Sequence, residues 1–359
     1  DVDFLGDTSA TVSPQAGLIT DNGGTVTINA DGSFSYVSAL GFTGADSFTY
    51  TLTDSGGLAS TGTVNLTVGP SVWFVDNTAA SGGDGSEAHP FNSIAAFNAA
   101  NAAGGATQPQ AGDIIYLREG TGTYAEADGF NLKDGQQLIG QGQDLVVHGV
   151  TFFDGDTADT PTIVINGAGN PAVQLAQNNT VSGLDINVQN LASGIEDGGG
   201  SVGTLSISDV SISGAGPAVD IDQGGTLAVT LDSVVTTITN KDAIQLAGVA
   251  GSFTITTVTL NGVNGDGIDL DNNIATIAIN GGSIGSTDDP AGIGVDINGG
   301  SANVTIAASI TKASAGDVVE VTGRTGGTVT FSGNLSASGG ASGVDVDSNT
   351  GGTINFTGA

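Results

Sequence analysis

The 359-residue chain has no cysteine and no methionine, and its only cations are Lys133, Lys241, Lys312, Arg118 and Arg324. Without Cys there is neither a disulfide nor a thiolate–zinc site. Five basic residues spread over the whole chain cannot displace counterions along a phosphate backbone, which excludes nucleic-acid binding. The 37 Asp and Glu give a formal net charge of −32, and anionic membrane surfaces repel such a chain. No apolar run reaches about eighteen residues, so membrane insertion through a helix is excluded. Aromatic residues are 5% of the chain, with a single Trp, which leaves little material for an aromatic sugar-binding platform.

What the chain does have is glycine, 60 residues of it. It carries no G-X-Y period, which excludes collagen. Val, Ile and Leu recur in short alternating runs, and these supply the apolar faces that offset the entropy of ordering, so the acidic chain folds. Helical periodicity is almost absent. The chain is therefore all-β.

Residues 1–69 read as a small antiparallel β-sandwich. Thr25–Ala30 alternates, Asp31-Gly32 follows, and Ser33–Val37 alternates again. An Asp-Gly pair between alternating runs signals a tight hairpin with both turn residues at positive φ. Ser47–Thr53 sets Phe48, Tyr50 and Leu52 on one face, and Thr63–Val68 closes the domain. The stretch GTVTINADGSFSYVSALGFTGADSFTYTLTDSGGLASTGTVNLTV (24–68) resembles the bacterial cadherin-like, immunoglobulin-like modules that occur in tandem in large secreted adhesins. Residues 1–23 follow the family pattern poorly, so its first strands are expected to be shortened or absent.

Gly69-Pro70 marks a boundary, and residues 71–359 read differently. Val72–Asp76 is a strand, followed by a Gly-rich loop. Pro90 begins the one good helix candidate, with Phe91, Ile94, Ala95 and Asn98 on one face and Gly104-Gly105 at its end. The elements PFNSIAAFNAAN, AGDIIYL and DGQQLIGQG resemble the cap and first coils of pectin-lyase-like right-handed parallel β-helices, in which a short amphipathic helix plugs the open end. The cap region is taken as 71–142.

From about residue 170 one motif recurs, beginning at Ala172, Gly194, Ala218, Ala243, Gly267, Gly294, Val318 and Gly343, with spacings of 22, 24, 25, 24, 27, 24 and 25 residues. A second strand follows each copy from the second onward, as in Phe253–Thr256 and Val329–Phe331. Short strands with Gly and Asn at the corners, repeated about every 24 residues, describe one rung of a parallel solenoid. One rung cannot bury its own apolar face, whereas stacked rungs bury a continuous core.

Alternation sets Ile268 and Leu270 inward and Asp269 outward. Rungs about 4.8 Å apart then align Glu196, Asp220, Gln245, Asp269, Asp296, Glu320 and Asp345 in one column. Asp222, Asp271 and Asp347 form a partial second column. Such columns serve either as a solvated face that blocks lateral association or as a ladder for hard cations, calcium above all. The calcium candidates are Asp266, Asp269 and Asp271 in the solenoid, Asp76 and Asp84 in FVDNTAASGGDG, and Asp46 and Asp54 in the first domain; no EF-hand loop or GGxGxD repeat is present.

An enzyme is the competing class. GDGID (265–269) resembles the acidic motif of polygalacturonase-like hydrolases, and paired carboxylates run glycoside hydrolysis when about 5 to 9.5 Å apart. That family's Gly-His-Gly and Arg-x-Lys motifs are missing here. Polysaccharide lyases need a cationic group for the uronate, and Lys241, Lys312 and Arg324 sit on separate rungs. His89 reads as structural, and His148 as an exposed strand residue. The chain thus reads as a structural or adhesive segment of a large secreted surface or extracellular-fibre protein, extracellular or cell-surface in location. The alternatives are a carbohydrate-active enzyme, either a polysaccharide lyase or a glycoside hydrolase, or a glycan-binding module without turnover. Its expected partners are further modules of the same chain, other copies of itself or a cell-surface glycan. No capping element follows Ile354-Asn355-Phe356, so the native chain is expected to continue beyond residue 359 or that end to dock onto another subunit.

Overall fold

The computed structural model describes residues 10–39, 42–105, 107–167 and 170–358. Strand accounts for 51% of the described residues and helix for 4%. Two compact units form: Asp1–Ser71 with Gly104–Pro109, and Val72–Ala103 with Gln110–Ala359.

The first unit holds two small antiparallel sheets. Thr11–Val12, Gly44–Thr53 and Ala59–Val68 make one, and Gln15–Ile19, Thr25–Ile28 and Phe34–Val37 the other. Two strands thus form before residue 23, where the family pattern is weak; residues 1–9 lie outside the described residues. The core is small: Val26, Ile28 and Phe48 are buried, with Tyr36, Tyr50, Val64 and Leu66 packed around them. The Asp31-Gly32 turn is looser than a two-residue hairpin. Asn29 and Ser33 close it (Asn29 N–H to Ser33 O, 2.8 Å), only Gly32 takes positive φ (87°), and the Asp31 carboxylate accepts the Ser33 amide at 3.0 Å. The Asp side chain supplies the local bond that an extra positive-φ residue would otherwise replace.

The second unit is a parallel β-solenoid of about ten turns from residue 114 onward. One sheet stacks Val72–Val75, Ile114–Leu117, Gln137–Gly140, Thr180–Val188, Thr204–Ala215, Gly225–Ile238, Val249–Leu260, Thr276–Ile279, Val304–Ile306, Thr325–Phe331 and Gly351–Phe356. The other stacks Phe130–Asn131, Val173–Leu175, Ile195–Asp197, Val219–Ile221, Ile244–Ala247, Ile268–Asp271, Val295–Asn298, Gly316–Thr322 and Ala341–Asp347. Each strand pairs in parallel with its counterpart one coil away, as Phe253 with Ile277 and Ile268 with Val295. Inward Val, Ile, Leu and Phe merge into a single core running from Trp73 to Phe331.

The helix is Ile94–Ala103, shorter than its Pro90 start implied. Phe91 instead bridges Val75 as extended chain, and the Ser93 hydroxyl accepts the Ala96 amide at 3.1 Å, as an N-cap does. This start moves the buried face to Ile94, Phe97 and Asn101 and leaves Ala95 exposed. A second correction concerns Leu145–Val147 and Val150–Phe153, which form an antiparallel hairpin. His148 is not in a strand but in its turn, at φ 52° beside Gly149 at φ 76°. The hairpin contributes to a second apolar cluster containing Phe74, Ile114, Tyr116, Ile139 and Leu145. Both faces of Ile114–Leu117 are consequently buried, as its unbroken apolar run reflects.

Candidate functional site

Parallel in-register stacking turns the third residue of each repeat into one outward column. Gln174, Glu196, Asp220, Gln245, Asp269, Asp296, Glu320 and Asp345 are successive partners. The second column is broken: Asn298 and Thr322 stand between Asp271 and Asp347.

The carboxyls of the main column are not equivalent. Asp220 is buried, and the Lys241 ammonium pairs with it. Burial works against the Lys241 charge, yet the bond to Asp220, with the charges of Asp220, Glu196 and Asp222, raises its pKa. Asp269 and Asp296 have no such cation. Burial, and then the charges of Asp271, Asp242, Asp296 and Asp266, push Asp269 up to about 7. Asp296 also rises to about 7, through burial and then Glu320, Asp266, Asp271 and Asp242. One Asp296 oxygen, Oδ1, is buried with no hydrogen-bond donor. Glu320 is raised too, by burial and then by Asp345 and Asp317. In the middle rungs the column thus holds protons close to neutral pH, and the formal charge overstates its ionisation.

The other candidates have different local roles. Asp266 is half-buried at a corner, where its Oδ1 accepts the Ile293 amide one coil on. Asp242 in turn accepts the Asp266 amide. Burial raises Asp266 against that amide bond, and Asp242 adds to the rise. Asp46 is buried in the sandwich and accepts from Tyr36 Oη at 2.8 Å, the Ser47 amide at 2.8 Å, the Asn22 amide at 3.1 Å and Thr20 Oγ1 at 2.5 Å. Burial alone would raise its pKa; these donors outweigh it and bring Asp46 down to about 2. Asp54 accepts the Leu58 amide at 2.8 Å in a turn. Asp266, Asp269 and Asp271 do not converge, and among the described residues no three His, Asp or Glu side chains form a group that could hold a metal ion.

Two features escaped the sequence reading. The first is a corner ladder, in which Asn and Asp side chains bond backbone amides of a neighbouring coil. Asn178 takes the Thr204 amide, Asn273 the Val249 amide and Asn303 the Thr328 amide, each at 2.9 Å. The Asn at each corner was the available signal. The second is that two of the five cations are buried. Lys312 donates to the Pro290 carbonyl at 2.6 Å, the Ser314 hydroxyl at 2.8 Å and Asp289 at 3.4 Å. Arg324 donates to the carbonyls of Gly299, Ala302 and Gly326. Both cations are committed to the solenoid's own backbone.

A cleft of about 520 Å³ in the solenoid unit is lined by Asp76, Asp84, Glu87, His89 and Arg118 among others. Arg118 lies 3.7 Å from Asp76 and 3.8 Å from Glu87. Its guanidinium also covers the Phe74 and Phe153 rings at 5.2 and 5.9 Å. No helix among the described residues is long and apolar enough to cross a membrane.

A family model described as the bacterial cadherin-like domain matches residues 1–70. No curated protein and no solved structure matches the chain.

Proposed function

We propose that the chain is a structural and adhesive segment of an extracellular bacterial surface protein, with the solenoid as a stiff spacer. The observation that carries this reading is the single core running from Trp73 to Phe331 through successive rungs, in a chain that also holds a cadherin-like module. A rung gains stability only from its neighbours, so the array resists bending and local opening better than isolated modules joined by linkers. Pulling single molecules by their termini tests it. A soft, early unfolding event from the module followed by high-force release of the solenoid supports the reading; a solenoid that yields first overturns it.

The acidic column keeps this spacer hydrated and blocks lateral association, and divalent cations act on it as counter-ions shared between rungs. Calcium that binds only the folded form raises stability by mass action. The solenoid melting temperature is expected to rise more with millimolar calcium than with sodium at matched ionic strength. Equal responses leave plain screening as the whole effect. Turnover is not expected on pectate, alginate or neutral glucans; cleavage that disappears in Asp269→Asn would transfer the column to the enzyme class.

A further inference from the structure

Outside the column just described, the longer solenoid sheet presents an outer face of the opposite character. Thr230, Thr254, Ala278, Thr305, Thr330 and Asn355 stand in one column. Two residues back along the same strands, Ala228, Ser252 and Thr276 form a parallel column; Asn303 follows, its side chain taking the Thr328 amide, and Thr328 and Thr353 continue it. All of these side chains are exposed or half-exposed, and none is ionisable. The residues between them, Val229, Phe253, Ile277, Val304, Val329 and Ile354, belong to or pack against the core, which fixes the strands beneath the array. Each threonine is β-branched and restricted at χ1, so its hydroxyl and methyl are held in place before any ligand arrives.

The array repeats in two directions, at about 4.8 Å from rung to rung and about 6.7 Å between alternate residues of a strand. A tetrahedral network of O–H···O bonds about 2.75 Å long places second-neighbour oxygens about 4.5 Å apart and repeats about every 7.3 Å along its layer-stacking direction. The two grids agree to within about a tenth. We propose that this face binds ice, its threonine hydroxyls and methyls holding a layer of water in register with the crystal surface.

The character of the face argues for this occupant over others. The two columns themselves hold no charge to recognise an ion, the exposed Asp232 standing beside Thr230 at one edge, and no aromatic ring on which a sugar could stack. A second copy would bring two chains of formal charge −32 together, and that repulsion opposes association across a face with few apolar groups. Ice is neutral, rigid and periodic in two directions, and every surface oxygen offers a hydrogen bond.

The test uses the whole 359-residue chain, measuring the gap between melting and growth of a single ice crystal and the partition of protein into growing ice. A gap with faceted crystals is expected. Thr230→Lys and Thr305→Lys, both at exposed positions, should keep the circular dichroism spectrum and melting temperature while losing the gap and the partition. Asp154→Lys, an exposed change just after the outer hairpin, should lose neither. A folded chain that leaves ice unshaped and is excluded from it overturns the proposal, as does a gap that both array lysines leave intact. Binding to crystalline cellulose that Thr230→Lys abolishes, with ice unshaped, would also overturn it and assign the face to a neutral polysaccharide.

Discussion

The sandwich and the solenoid are built from the same alternating strands but solve the burial problem differently. In the sandwich, three fully buried apolar residues anchor the core, and a cavity of about 310 Å³ lined by Phe34, Phe48, Tyr50 and Val64 opens beside them. Phe34 remains 44% exposed. The solenoid shares one core among successive rungs from Trp73 to Phe331. A closed two-layer module must bury its apolar surface within about 70 residues, where the buried fraction is low. A solenoid extends its core with every coil, and its stability sums over neighbours. The two units should therefore melt in two transitions, the sandwich first. Coincident melting in calorimetry would contradict the contrast.

The largest effect is expected from Phe253→Ala. Phe253 is fully buried in the middle of the stack, and a cavity of that size costs about 3–5 kcal/mol. Because coils couple to neighbours, the loss should lower the whole solenoid transition and leave the sandwich transition in place, as read by scanning calorimetry. Next comes Arg324→Met. The thioether fills part of the space but leaves the Gly299, Ala302 and Gly326 carbonyls without their donor, at a cost of about 3 kcal/mol. If the variant is as stable as the parent, the guanidinium is a tolerated passenger and not a tie between coils.

The pH response sharpens the comparison because the two units have opposite signs. Asp269 and Asp296 rise from 3.8 to about 7 on folding. Between those values the folded solenoid holds protons that the unfolded chain has released, so its stability falls as pH rises from about 4 to about 7. Asp46 falls to about 2, so its contribution to the sandwich is present above about pH 4 and is lost as pH drops toward 2. Melting followed at fixed ionic strength should show the solenoid most stable near pH 4–5 and the sandwich flat from there to neutrality. Asp269→Asn should remove much of the solenoid slope and stabilise it at pH 8 by on the order of 1 kcal/mol, discounted for partial exposure. A solenoid transition that does not move between pH 5 and 8 would show the column fully ionised or neutralised by bound cations.

The column was legible in the sequence because a period of two fixes which residues face out and a constant coil length fixes their register. Asp269 beside Asp296 follows from those two facts alone. The corners were not legible in the same way. Whether Asp266 faces solvent or caps the next coil depends on local turn dihedrals, which alternation does not encode; hence Asp266, Asp269 and Asp271 look like one cluster in sequence but have different roles in the fold. Burial of Lys312 and Arg324 was hidden for a related reason. Their partners are mainly carbonyls 22 to 25 residues away, and a carbonyl has no residue-type signature. The outer hairpin at 145–153 went unread because its two strands are short and carry few alternations.

The smallest effect separates two kinds of glycine. Gly32 in the sandwich turn has φ 87°, and a Cβ added there meets only Val12 Cγ2 at 3.7 Å. Space is available, so Gly32→Ala carries only the left-handed backbone penalty of about 1 kcal/mol. Gly333 in the solenoid lacks positive φ, but its added Cβ would lie 2.0 Å from the Ala308 carbonyl oxygen of the preceding coil. Relief there requires two stacked coils to separate, and that disrupts the parallel ladder on both. Gly333→Ala should therefore lower the solenoid transition by more than Gly32→Ala lowers the sandwich transition, although the chemical change is one methyl group in each. Equal shifts in the two transitions would mean that the coils have slack at their corners, and coil-to-coil contact would then cease to explain the greater stability expected of the solenoid.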